Sequence, residues 1–177
     1  MTEAPAALAG LLREIENHVA GGGWDQGARL FALVPTAELL AREPGLAAVL
    51  GIDPGQADSP AALTPVEQEE LPDHATIEEL LLGLAWPAEV AGAALVVERV
   101  VLPPEVEAEL PTDEEAALAV LAEHPLRQDV RLAVAALRDG TRWAAMRFRL
   151  HDDPVQVLVG RDLVPGLTEA LASTLEE

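Results

Sequence analysis

The chain has 177 residues, no cysteine and no lysine, and a formal net charge of -20. A length of this order suits one domain with a full core. The missing cysteines remove disulfides, thiolate chemistry and cysteine metal sites, and so strong an acidity has the wrong sign for nucleic acid or an anionic membrane. No apolar run reaches the length of a membrane span, and the start MTEAPAALAG lacks the basic region of a signal peptide, so a cytoplasmic protein is expected.

Leu8, Leu11, Leu12, Ile15 and Val19 recur at helical spacing and predict an amphipathic helix over residues 5–20, with Pro5 in its first turn. Gly21, Gly22 and Gly23 end it. Because they follow a helix and have no Lys, Ser or Thr behind them, they are a turn and not a phosphate loop. RLFALV at 29–34 is a short apolar strand that Pro35 stops; Thr36 is placed to cap a helix over 37–43, and LAAVLG at 46–51 adds a further turn or two. Residues 51–63 are a Pro/Gly-rich surface loop inside a single domain spanning 1–177.

Thr64-Pro65-Val66-Glu67 and Thr76-Ile77-Glu78-Glu79 both have capping-box spacing and predict a helix after each. His74, beside Asp73, reads as a capping or solvent-facing residue. AALVVERVVL at 93–102 is apolar on both faces, which marks a central strand. Glu98 and Arg99 interrupt it on opposite faces, and Glu98 is expected to pair with an arginine of the neighbouring hairpin. A third box, Thr112-Asp113-Glu114-Glu115, opens a helix running to His124 with Ala117, Leu118 and Leu121 on its inner face.

The segment 130–150, VRLAVAALRDGTRWAAMRFRL, alternates apolar residues with arginines on two arms around Asp139-Gly140 and predicts a β-hairpin. A three-residue loop with Gly140 in the left-handed position pairs Val130 with Phe148, Leu132 with Met146 and Val134 with Ala144, giving one wholly apolar face. On the other face Ala135 meets Trp143 and Asp129 meets Arg149, while Arg131 falls opposite Arg147. Like charges facing each other cost up to about 1 kcal/mol. Something acidic must therefore lie over that face, from the rest of this chain, from another subunit or from a ligand. The local charge sharpens the point: residues 127–161 hold seven Arg against four Asp, a basic island in an acidic chain. His151-Asp152-Asp153-Pro154 reads as a turn and not a metal site, a strand follows at 155–159, and Leu167, Leu171 and Leu175 predict a last helix starting near Asp162.

The element order predicts an α+β single domain with a five-stranded mixed or mostly antiparallel sheet and helices packed mainly on one face. For chemistry there is no Cys, Lys or Tyr, and the two serines, Ser59 and Ser173, do not sit in a strand-turn-helix elbow. No catalytic residue, cofactor or metal is assigned.

Trp24-Asp25-Gln26 with Arg29-Leu30-Phe31-Ala32-Leu33-Val34, Leu63-Thr64-Pro65-Val66-Glu67, Val96-Val97-Glu98-Arg99 and Asp162-Leu163-Val164-Pro165-Gly166-Leu167 together resemble an uncharacterised actinobacterial protein family over essentially the whole chain. The resemblance implies a bacterial cytosolic protein and carries no assigned activity. By element order alone the chain is also similar to secretion-chaperone-like α+β domains, which bind protein segments as dimers. The functional expectation is a non-enzymatic protein-binding or accessory protein, acting with a protein partner or as a homodimer. Arg131, Arg147 and Arg149, with Trp143 and Glu98, are the candidate ligand- or partner-binding face. The alternatives are a small-anion or carboxylate-binding protein or enzyme using the same arginines, and an arginine face that is wholly internal.

Overall fold

A computed structural model describes residues 3–45, 48–49, 63–68, 71, 76–153, 157–160 and 164–176. Its centre is one antiparallel sheet of strands β1 (Arg29–Pro35), β2 (Leu63–Glu67), β3 (Gly92–Val101), β4 (Gln128–Leu137), β5 (Arg142–Phe148) and β6 (Leu158–Gly160), in the order β2-β1-β3-β4-β5-β6. The helices are α1 (Glu3–Ala20), α2 (Thr36–Arg42), α3 (Ile77–Leu82), α4 (Pro104–Glu107), α5 (Glu114–Glu123) and α6 (Pro165–Ser173).

The β4–β5 hairpin has the register its side chains require. Val130 pairs with Phe148, Arg131 with Arg147, Leu132 with Met146 and Ala135 with Trp143. Gly140, at φ +94°, supplies the left-handed residue of the turn, and the Asp139 carboxylate accepts from the Thr141 N–H at 2.8 Å. β3 is central, as its two apolar faces require, lying between β1 and β4.

The sheet separates two cores. On one face α1 lays Leu8, Leu12, Ile15 and Val19 over Phe31, Ala94, Val96, Ala133, Ala135 and Ala145. On the other, Leu167, Leu171 and Leu175 from α6 and its C-terminal turn pack with α3's Leu81 over Ala93, Leu95, Val130, Leu132, Val134, Ala136 and Ala144. The alanines at the sheet centre have no exposed surface. A floor of methyl groups admits helices carrying leucines, so the buried alanines lie in the strands while the helices pack on them with larger aliphatic side chains.

Several expectations are corrected. The sheet has six strands, not five, because Thr64-Pro65-Val66-Glu67 forms the edge strand β2 instead of opening a helix. Capping-box spacing is outweighed there by tertiary pairing: Glu67 is held by Arg29, Thr64 meets Thr36 at 2.9 Å between hydroxyls, and proline is tolerated on an edge. Thr36 is therefore the first residue of α2 and makes no capping bond. Helices cover both faces and not mainly one, since the strands alternate buried residues toward α1 and toward α6. In α5 the cap is Asp113, whose side chain accepts from the Ala116 N–H, and none of the helix's residues is fully buried: of the expected inner face Ala117 and Leu121 are half-buried and Leu118 is exposed. The loop at 51–62, Asp73, His74, the expected strand start at 155–156 and most of the turn at 46–51 lie outside the described residues, as does the side chain of His151.

Candidate functional site

The α1 face of the sheet carries apolar residues under most of the helix and three charged ones at its end: Glu98 on β3, Arg131 on β4 and Arg147 on β5. They are neighbours by register, Glu98 opposite Arg131 and Arg131 opposite Arg147. A pair of arginines facing each other under a helix needs a counter-charge, and α1 delivers one. Glu16 occupies the position one turn beyond Leu12 on the buried stripe, and its side chain has no exposed surface. One carboxylate oxygen lies 2.7 Å from Arg147 Nη2 and the other 3.5 Å from Arg131 Nη1. A charge moved out of water costs several kcal/mol unless it is paired this way.

The remaining guanidinium nitrogens find further partners. Arg147 Nη1 donates to Asp152 at 3.0 Å. Arg131 Nη2 lies 3.6 Å from Glu98 and donates to the Gly23 carbonyl. Gly23 adopts φ +83°, so the residue whose carbonyl reaches Arg131 has to be glycine or accept strain. The next residues close over the cluster. The Trp24 ring centroid is 4.4 Å from the Arg131 guanidinium carbon and 5.6 Å from that of Arg149, within the range of cation–π attraction. Asp25, at φ +67°, and Gln26 donate their backbone N–H groups to the two Glu98 oxygens at 2.7 and 3.0 Å. Arg149 at the rim pairs with Asp25 at 3.1 Å and Asp129 at 3.3 Å.

Three guanidiniums thus meet five carboxylates: Glu16, Glu98, Asp25, Asp129 and Asp152. Burial works against the Arg147 charge, but hydrogen bonds to Asp152 and Glu16 outweigh it and raise its pKa. The same Arg147 bond holds the Asp152 carboxyl below its ordinary value, and Asp25 raises Arg149. The acid required over the arginine face is supplied within the chain, from α1, β3 and the turn after α1. The predicted residues Arg131, Arg147, Arg149 and Glu98 come together. Trp143 does not join them; it packs against the α1 core beside Ala135's row, with its indole N–H buried and without a hydrogen-bond partner. The aromatic partner of the cluster is Trp24. Four members escaped the sequence reading, Glu16, Trp24, Asp25 and Asp152, and for Glu16 a signal existed: it is the one acid on the stripe Leu8, Leu12, Val19.

A family model described as PPA1309-like protein matches residues 8–176. The chain belongs to that family. The family is uncharacterised, named after an actinobacterial protein and without an assigned activity. Comparison with curated proteins and with solved structures finds no match. The span matched to the PPA1309-like family includes every residue of the charged cluster, from Glu16 to Asp152.

Two further features lie at the surface. Arg147 and Glu16 also line a shallow cleft of about 290 Å³ with Arg13, Glu14, Asn17 and Val157. The second is the connection between β3 and β4, residues 102–127. Adjacent antiparallel strands can be joined by a few residues, yet this connection carries α4 and α5. Its α5 is apolar from Ala116 to Ala122 with no residue fully buried: Ala116, Ala117 and Leu121 are half-buried, while Leu118 is 59% exposed, Val120 42% and the following Leu126 52%. Among the described residues there is no group of three or more His, Cys, Asp or Glu placed to hold a metal ion, and no helix is long and apolar enough to cross a membrane.

Proposed function

We propose that this member of the PPA1309-like family is a non-enzymatic, cytosolic protein-binding module of an actinobacterial cell, accessory or adaptor-like in role, with the β3–β4 arm as its contact surface. The observation that carries this is α5. A helix apolar all round belongs in a core, and this one has no buried residue. Long excursions between neighbouring elements are where binding surfaces are carried. The partner is either a second copy, giving a homodimer, or another protein.

The arginine face supports this reading by its pairing. Arg131 and Arg147 spend their charge on Glu16, Glu98 and Asp152 and act as the joint that fixes α1 on the hairpin. A second reading, a small-anion or carboxylate site, has one specific foothold in the cleft where Arg147 meets Arg13 and Asn17. Both readings are tested by cross-linking wild type and Leu118→Asp in native lysate, alongside a melt screen with carboxylates, phosphates and nucleotides. Protein binding predicts cross-linked species that the variant loses and no thermal shift. A shift of several degrees with an anion, abolished by Arg13→Ala, would overturn it in favour of the cleft.

A further inference from the structure

The arm that exposes α5 also has a marked charge. Residues 102–127 contain seven acids and one arginine. Glu105, Glu109, Asp113, Glu114, Glu115 and Glu123 are all exposed. Glu114 and Glu115 stand one turn before Leu118 and Glu123 ends the helix, so the apolar surface is bounded by carboxylates at both ends. Ala119 and Ala122 beside Leu118 are small and exposed, which lets a second backbone approach closely.

We propose, resting on the protein-binding reading, that the occupant of this surface is an amphipathic helical segment of another protein, with a leucine-type seam and a lysine- or arginine-rich rim. Charge selects it. A symmetric contact with a second copy sets the same carboxylates against each other, because an isologous interface presents one patch to itself. A basic rim instead pairs with them, steering association and excluding like-charged partners, while the seam covers Leu118 with Ala122 and the half-buried Leu121 on the same face. The contact resembles helix recognition by apolar anchors at i, i+3 and i+4.

The test uses the full chain, a labelled model peptide of about 18 residues with leucines at helical spacing and lysines elsewhere, and a twin with glutamate in place of lysine. Fluorescence anisotropy at about 150 mM salt is expected to show saturable one-to-one binding of the lysine peptide, absence of binding by the twin, and a loss of about tenfold or more in affinity with Leu118→Asp. Leu118 is mostly exposed, so this variant keeps the fold, which a melt checks. Because Leu118→Asp adds a negative charge, unchanged or tighter binding by the variant would show diffuse attraction and overturn the proposal. Equal binding of the twin, or a dimeric mass that Leu118→Asp converts to monomer, would also overturn it while leaving protein binding intact. A monomer that binds neither peptide defeats both.

Discussion

Replacing Glu16 by glutamine removes one charge and almost no volume, so it isolates what the carboxylate does between Arg131 and Arg147. Breaking a buried pair by removing one partner costs about 3–5 kcal/mol, since the other charge is left uncompensated. Two buried arginines lose a partner here, but each keeps others: Arg147 retains Asp152, and Arg131 retains Glu98, the Gly23 carbonyl and the Trp24 ring. The lower end, about 3 kcal/mol, is therefore expected. For a chain of this size that lowers Tm by about 6–12 °C, with the urea m-value unchanged. The measurement is urea and thermal unfolding of wild type and Glu16→Gln, with Glu16→Leu combined with Arg131→Met and Arg147→Leu as a third protein. The triple variant should recover most of the loss, because an apolar replacement leaves fewer charges unpaired. A loss below about 1 kcal/mol for Glu16→Gln would refute the argument, since a carboxylate whose charge the arginines do not need is no more than a surface pair.

Gly92→Ala places a Cβ 2.5 Å from the Ala136 carbonyl oxygen and 3.2 Å from Leu137 Cα, at the start of a central strand; backbone must move, and a loss of about 2–3 kcal/mol is expected in urea unfolding. Arg138→Ala removes donors to four main-chain carbonyls, Val90 at 2.7 Å, Leu175 at 2.6 Å, Trp86 at 3.2 Å and Pro87 at 3.1 Å. Stability should fall by about 2–3 kcal/mol, with hydrogen exchange accelerated first at the end of α6. Arg29 holds the Glu67 carboxyl below its ordinary value through a hydrogen bond that burial only partly opposes. A lowered folded-state pKa adds stability above the unfolded value, near 4.3, and loses it as pH falls through the folded value. Arg29→Met should therefore flatten part of the acid limb below about pH 4, by under about 1 kcal/mol because both partners are partly exposed; a wild-type-to-variant gap that does not change with pH would contradict it.

The hairpin was legible because arginines and apolar residues alternate so strictly that only one register keeps a face clean, and that register demanded an acid above it. Which acid was harder. Glu16 is one of several glutamates in α1, and its burial follows from α1 crossing the end of the sheet where Arg131 and Arg147 face each other, a tertiary fact. β2 was hidden for the opposite reason: Thr64 to Glu67 satisfies a local helix signal, while Arg29 and Thr36, far along the chain, make it a strand. For α5 the apolar run was plain, but an apolar helix is by default assigned to a core, and only the fold shows Leu118 and Val120 turned outward. Trp24 follows three glycines in a stretch without periodicity, where no pattern predicts what a ring will stack on.

The tie between Glu16 and the hairpin has a consequence for how the chain is made. Its two partners lie 115 and 131 residues later. A ribosome adding about 5–20 residues per second needs roughly 6–25 s to reach them. Until then α1 presents Leu8, Leu12 and Ile15 with no alanine floor to rest on and a carboxylate with no counter-ion. The order of synthesis thus runs against the order of assembly: the first helix must wait for the hairpin that receives it. With contacts this distant in sequence, folding is expected to be slow for the size of the domain, and the waiting helix is the segment that most needs shielding from other chains.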